Sequence, residues 1–456
     1  MNILEKIVVS KKLEVKELYK KFDIESLKRD VSKNVKINKS KFIIAEFKRQ
    51  SPSAGKINES VSISEQINGY VEHGYNAVSV LTDKPFFGGD YNDLQEAAEI
   101  LNRFPLLLLN KEFIIDPIQV YLARKFGANF ILLIAAILTT EEFEALKNLA
   151  ESLGMGVLAE IHNEEEYRKI ETLGCPVIGI NNRDLTQFKT SINNTNYLVE
   201  KLELHNKFII AESGISSLID IKILAAKADG FLVGTSLMQQ TKLSFSDKQN
   251  LLFKACGIRN VKHFNTSADL LGFNFSLVSK RRVSESILKE LSQKTLNKSV
   301  VVFYKNNAEN ILETLKKYPF KYVQLYLEDC SLPFIKSLNQ KIILAIKVNE
   351  YTDWELIENY IPYTDLLILD GDLPGSGNTI ADNLIPQNFP YPFLLAGGIN
   401  EDNLHLALQH KNCIGVDIAS GIETDGEVDA LKIKKISEII GPPSRINKTP
   451  RKRRDN

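Results

Sequence analysis

The sequence is poor in features that define several large protein classes. Its 456 residues hold four Cys, no two of them in a CxxC pair. That argues against a disulfide framework and fits a reducing, intracellular setting. Net charge is absent, because 57 Lys and Arg balance 57 Asp and Glu. A neutral chain exerts no long-range pull on nucleic acid or anionic lipid, so any anion it binds must be held by local groups. No apolar run approaches the roughly 20 residues of a membrane span. The opening MNILEKIVVSKKLEVKEL is charged throughout and lacks a signal-peptide h-region. Neither half opens with a GxGxxG turn, which argues against a dinucleotide-binding sheet. A cytoplasmic monomer without nucleic-acid or membrane partners is the expectation.

What the chain has is repetition. Short Val/Ile/Leu/Phe-rich runs alternate with charged stretches of helical period, as βα units around a buried parallel sheet require. In the first half the runs are 42–48, 77–83, 106–113, 130–138, 156–162, 177–182, 208–212 and 230–235. In the second they are 252–258, 270–275, 300–305, 322–327, 342–348, 365–371, 392–398 and 414–420. Eight and eight is the count that two closed barrels need, so the expected fold is α/β, two fused (β/α)8 TIM barrels. The polar run LSFSDKQN places the boundary near residues 243–250, giving domains 1–247 and 248–442. Residues 443–456 are basic and read as a disordered tail.

In each half the last two strands end in small residues: Ser213-Gly214 and Gly234-Thr235-Ser236, then Gly397-Gly398 and Ser420-Gly421. The seventh and eighth loops of a barrel often bind phosphate, and small residues let backbone N–H groups approach the anion. Gly there also permits tight turns, but the same placement in both halves favours a phosphorylated small molecule in each barrel. Charged and amide residues stand where the first-half strands end: Glu46, Lys48, Lys111, Glu160, Asn181, Asn182 and Glu212. Each alone reads equally well as a frayed surface charge. Together they converge on the rim where barrel active sites lie, since burying them unpaired costs several kcal/mol each as an order of magnitude. His73, His162 and His205 form no ligand set with carboxylates, so neither a metal nor another cofactor is expected.

The first half resembles indole-3-glycerol-phosphate synthase. The resemblance rests on AEFKRQSPSAG (45–55), SVLTDKPFFGGD (79–90), NKEFIIDPIQV (110–120), LLIAAIL (132–138), LAEIH (158–162), IGINNRDL (178–185), AESGIS (211–216) and FLVGTSLM (231–238), in order. It implies that 1-(2-carboxyphenylamino)-1-deoxyribulose 5-phosphate closes to an indole with loss of CO2 and water. By that resemblance Lys111 is the general acid and Glu160 its acid/base counterpart. Lys48 grips the anthranilate carboxylate beside Glu46. Asn181 holds a substrate hydroxyl, and Glu212 supports a polar network with Ser213. Ser51, Gly214, Gly234 and Ser236 are implied to bind substrate or phosphate. The sequence leaves open how acid and base work divides between Lys48 and Lys111. The family's K-D-F reads Lys111-Glu112-Phe113 here.

In the second half KACGI puts Cys256 on the first strand, and LLILD puts Asp370 at the end of the sixth. A thiol and a carboxyl at one rim can serve as base and acid for an aldose-to-ketose rearrangement. Taken alone, Cys256 reads as a small core residue, and Cys175, Cys330 and Cys413 as structural. The blocks KACGI, LGFNFSLVSKRRVS (271–284), VVVFYK, VQLYL, LLILDGDLPGSGNT (366–379), LLAGGIN (394–400) and IGVDIASGIE (414–423) resemble phosphoribosylanthranilate isomerase. That resemblance makes Cys256 the base and Asp370 the acid of an Amadori rearrangement. Arg281 would hold the anthranilate carboxylate, and Gly377, Gly398, Ser420 and Gly421 would surround the phosphate. The family's QLHG reads Gln324-Leu325-Tyr326-Leu327, its GGSGK ends in Asn378, and the Lys of its closing G-x-K-D is Val428. Two other functions stay open: a synthase whose second barrel is slow or inert, and a non-catalytic phosphosugar-binding scaffold. The latter has no need of Glu46, Lys48, Lys111 and Glu160 together.

Overall fold

The computed structural model describes residues 3–27, 42–52, 55–58, 61–183, 189–239, 251–276, 278–291, 293–371 and 384–441. The expected boundary at 247/248, Gly377, Asn378 and the basic tail lie outside the described residues. The chain divides into two compact units, Met1–Phe245 and Ser246–Asn456.

The first unit is a closed parallel barrel of eight strands. These are β1 (Phe42–Phe47), β2 (Ala77–Leu81), β3 (Leu107–Lys111), β4 (Phe130–Ile134), β5 (Gly156–Ile161), β6 (Val177–Asn181), β7 (Phe208–Glu212) and β8 (Gly230–Val233). Strand β8 returns to β1 with Phe42 opposite Gly230 and Ala45 opposite Val233. Helices cover the outside while side chains fill the inside, so β1 is buried at every position. The run 130–138 is shorter as a strand than its apolarity suggests, because Ala135–Ile137 turn into a 3-10 helix. Polar residues start the covering helices. Asp90 and Asp93 form a reciprocal capping box, as do Thr139 and Glu142, and Asp116 precedes Pro117 in a third.

Helix α1 (Ile3–Lys21) precedes the barrel and buries Ile7, Lys11, Val15 and Leu18, a helical stripe interrupted by one cation. Lys11 is fully buried, and its ammonium lies 2.8 Å from Glu14, 3.0 Å from Asp83 and 2.8 Å from Glu112. Glu112 also accepts from Thr82 Oγ1 at 2.7 Å. The Glu that replaces the family's Asp is therefore part of the anchor that seats α1 on the barrel. Lys11→Met leaves Asp83 and Glu112 buried without their cation. Removing one partner of a buried ion pair typically costs about 3–5 kcal/mol. A clear drop in the urea midpoint of the first barrel is expected, and an unchanged midpoint would refute the anchor.

The second unit is also a closed parallel eight-stranded barrel. Its strands are β9 (Leu252–Cys256), β10 (Leu270–Asn274), β11 (Ser299–Val302), β12 (Tyr322–Tyr326), β13 (Lys341–Val348), β14 (Leu366–Gly371), β15 (Phe393–Leu395) and β16 (Cys413–Ile418). Each of the sixteen runs read from the sequence overlaps a barrel strand, with β11, β13 and β16 starting one residue before their runs. The run 392–398 yields only three strand residues, because Gly397 and Gly398 take φ values of 86° and 60° and leave the sheet.

Candidate active sites

Side chains along a strand alternate between its two faces. In the first barrel Ile44, Leu109, Leu158 and Ile210 belong to one apolar cluster with Phe42, Phe130, Leu132, Val177, Phe208 and Leu232. Two residues further toward the C-terminal ends, the same faces carry Glu46, Lys111, Glu160 and Glu212. The inward face that fills the core thus turns polar at the rim.

That rim opens on a cavity of about 470 Å³. Glu46, Lys48, Ser51, Lys111, Glu160, Asn181, Ser213, Gly214, Gly234 and Ser236 all line it, together with Ile3, Leu4 and Ile7 of α1. Lys111 Nζ lies 3.2 Å from Glu160 Oε2 and donates to Glu212 Oε2 at 2.6 Å. Glu212 is not part of the cavity wall, and it meets the site through this bond. Asn181 Nδ2 donates to Glu160 Oε1 at 3.2 Å, and Lys48 Nζ to Glu46 Oε1 at 2.5 Å. Asn182 turns away from the cavity: its amide oxygen accepts from Thr195.

The electrostatics separate these groups. Burial works against the Lys111 charge, but Glu212 and Glu160 outweigh it and raise its pKa above that of an ordinary lysine. Burial pushes Glu212 above the usual carboxylate range despite Lys111. At Glu160 burial acts in the same direction, yet Lys111, His162 and Asn181 together hold the carboxyl below its ordinary value. Neighbouring carboxyls pushed apart in this way can take different roles. His162, which the sequence set aside as a metal ligand, has Nε2 3.5 Å from Glu160 Oε1 and Nδ1 2.9 Å from Glu166 Oε2.

Both seventh loops turn through two successive left-handed residues: Ser213 (φ 65°) and Gly214 (78°), then Gly397 (86°) and Gly398 (60°). A serine held in that region is strained, and such strain gathers at functional sites. Ser236 donates to Ile215 O at 3.1 Å and ties the eighth loop to the seventh. A Cβ at Gly234 would stand 2.3 Å from Glu46 Oε1 and 2.8 Å from Lys48 Nζ, so this glycine makes room for that pair. A Cβ at Gly421 would stand 2.0 Å from Ile399 O. Gly421 lets the two loops of the second barrel touch and is not among the cavity-lining residues.

The second barrel opens on a cavity of about 320 Å³ lined by Cys256, Arg281, Asp370, Gly398 and Ser420, with Gln324 and Tyr326. Two residues before Cys256, on the same face of β9, Lys254 is fully buried and reaches both oxygens of Asp417 at 2.8 Å. Its positive charge also acts on the Cys256 thiol. Burial raises the thiol pKa and Lys254 opposes that rise. Arg281 makes a two-pronged pair with Glu423, Nε to Oε1 at 2.7 Å and Nη2 to Oε2 at 2.8 Å. Burial and Asp417 push the Asp370 carboxyl up to about 6. The Tyr326 hydroxyl donates to Asp370 Oδ2 at 3.1 Å. Val428 is buried, which suits an apolar residue where the family has Lys.

Lys254, Asp417 and Glu423 escaped the sequence reading. The signal was present for the first two: each is a charged residue inside an apolar strand run, the same criterion that singled out Lys111. Arg183 also lines the first cavity, two residues beyond Asn181. Among the described residues no group of His, Cys, Asp and Glu is placed to hold a metal ion, and no helix is long and apolar enough to cross a membrane.

Two closed barrels, each with acid–base groups beside a small-residue turn at its rim, define a two-site TIM-barrel enzyme. The family model of indole-3-glycerol phosphate synthase matches residues 4–249, and that of N-(5'phosphoribosyl)anthranilate (PRA) isomerase matches residues 254–439. The chain is 33% identical over 464 residues to a Helicobacter pylori tryptophan biosynthesis protein TrpCF, covering 96% of this chain and 99% of that one. It is 32% identical over 478 residues to the Haemophilus influenzae protein of the same name, covering 96% and 97%. The chain belongs to the family of tryptophan-biosynthesis enzymes that fuse indole-3-glycerol-phosphate synthase to phosphoribosylanthranilate isomerase. It is bifunctional, a decarboxylating lyase in its first half and an isomerase in its second. Matches that run through both halves favour this over a lone synthase with an inert second barrel.

Proposed function

We propose that Lys111 is the proton donor of the synthase, and the observation that carries this is its ammonium, held charged between Glu160 and Glu212 at the cavity wall. A group kept in its acid form can protonate the substrate carbonyl as the anthranilate ring carbon attacks it and the indole ring closes. Carbon dioxide then leaves from the same carbon. Glu160, ionised beside Lys111, takes the proton whose departure with the hydroxyl completes the loss of water. Lys48, steadied by Glu46, holds the anthranilate carboxylate. Asn181 orients a hydroxyl of the sugar chain while it positions Glu160. Ser213, Gly214, Gly234 and Ser236 receive the phosphate, and Ser51 lies along the same wall.

In the second barrel Asp370 protonates the ribose ring oxygen as the ring opens, and Cys256 removes the C2 proton, giving the aminoketose. Lys254 favours the thiolate that this step needs. Arg281 holds the anthranilate carboxylate through Nη1, the nitrogen that Glu423 does not engage. Gly377, Gly398, Ser420 and Gly421 receive the phosphate. The isomerase product is the synthase substrate, so the chain carries two successive steps. The same reading takes the chain as a cytoplasmic monomer, and its four free thiols fit a reducing compartment. Expression of the full chain is expected to rescue two tryptophan auxotrophs, one lacking each activity. Failure of either rescue removes the corresponding half of these assignments.

A further inference from the structure

We infer that Tyr326 is a positioning residue for the isomerase acid, aiming the Asp370 carboxyl and receiving its charge once the proton has left. This rests on the reading of Asp370 as the acid.

Tyr326 stands at the end of β12, where the family pattern has His. Its side chain is buried, and its phenol donates to Asp370 Oδ2 at 3.1 Å across 44 residues of chain. The ring is fixed from the other side by Tyr304, whose centroid is 4.8 Å away. Tyr304 is itself held, because its hydroxyl accepts from Lys347 Nζ at 2.8 Å. Lys347 is the register neighbour of Asp370 on β13, and its ammonium is turned to Tyr304 and Glu328 instead of the acid. Both tyrosines line the cavity beside Asp370. The phenol therefore has little freedom to point elsewhere.

The groups that face Asp370 set what this bond does. Asp417 from β16 disfavours its ionised form. Lys254 from β9, the Gly371 N–H on its own strand and the Tyr326 hydroxyl favour it. Burial holds the phenol proton well above its ordinary range, so Tyr326 remains a donor. When the Asp370 O–H proton passes to the ribose ring oxygen, the C–O bonding pair goes to that oxygen. Asp370 is left as a carboxylate inside a buried site. The Tyr326 O–H points at the oxygen where that charge appears. A donor placed where charge develops lowers the barrier without reorganisation. Tyr326 thus supplies the donor at this position with a longer side chain than His.

The test is the pH profile of isomerase kcat/KM for Tyr326→Phe in the full chain. Turnover needs protonated Asp370 together with the Cys256 thiolate, and the thiol is the weaker acid of the two, so the rate rises up to the Asp370 pKa, which sets the acid limb, and levels off above it. Loss of the donor raises that pKa. A hydrogen bond to a charged group is worth about 1.5–3 kcal/mol in general, so the acid limb is expected to move up by about one to two pH units. Below that limb, where Asp370 is protonated in parent and variant alike, kcat should fall about tenfold with KM nearly unchanged. A ring-fluorinated tyrosine at position 326 keeps the shape and strengthens the donor, and it should move the limb down. Opposite movements are not what a packing role would produce. Synthase turnover of the same chain reports its integrity. An unmoved limb in Tyr326→Phe, with Asp370→Asn inactive, overturns the inference and leaves the acid assignment standing. Turnover retained in Asp370→Asn overturns the acid assignment and this inference with it. Should Tyr326→Phe unfold the second barrel, the fluorinated variant decides, and an unmoved limb there is equally fatal.

Discussion

Lys111→Ala is expected to lower synthase kcat by about three to four orders of magnitude, the upper part of the range for a general acid, while isomerase turnover stays within twofold of the parent. Two losses combine. The proton donor disappears from the cavity wall, and the cation that keeps Glu160 ionised disappears with it. Lys111 is the first counterweight to burial at Glu160, ahead of His162 and Asn181. Without it, Glu160 and Glu212 are two buried carboxyls with no ammonium between them, and at least one takes up a proton. The variant therefore damages the base as well as removing the acid. Its synthase rate should not recover at any pH between 5 and 9. Steady-state assays of both half-reactions on one preparation make the measurement, with the second barrel as internal control. Synthase turnover within tenfold of the parent would remove Lys111 from the mechanism.

Cys256→Ala should do the reverse, with isomerase kcat/KM falling by about three orders of magnitude and the synthase unaffected. The substitution deletes one buried sulfur, so the structural disturbance is small compared with the chemical one. Cys256→Ser separates the two. It restores most of the volume, but an alcohol is a far weaker acid than a thiol and gives no useful base. Serine is expected to be nearly as slow as alanine. Lys254 sharpens the expectation: its ammonium is committed to both carboxylate oxygens of Asp417 and opposes the upward push that burial gives the thiol. Unchanged isomerase turnover in Cys256→Ala would mean that another group takes the C2 proton.

Much of the first site was legible because barrel strands obey a period of two. A charged residue that continues an apolar inward face must reach the rim, and Glu46, Lys111, Glu160 and Glu212 do so. The same rule, applied to β9 and β16, points to Lys254 and Asp417, which sit inside apolar runs. The thiol and the carboxyl drew attention first, and the deeper pair was passed over. Gly234 illustrates a different limit. Its smallness suggested phosphate, while the structure adds that a side chain there would collide with Glu46 and Lys48. Tyr326 marked only a departure from the family pattern. Its partner, Asp370, is two strands away in the barrel.

By itself the sequence determined the class of fold, the number of strands, the two families and the chemical types at each rim. These follow from local regularities: alternation along a strand, helical period between strands, and motifs a few residues long. Only the tertiary structure decided which charges meet. Lys111 finds Glu212 across 101 residues, Arg281 finds Glu423 across 142, and Lys254 finds Asp417 across 163. The physical reason is barrel closure. It brings the first strand beside the eighth and turns inward faces from distant strands toward one axis. Which ammonium lies between which carboxylates, and hence which groups hold their protons, depends on that closure and on no short stretch of chain.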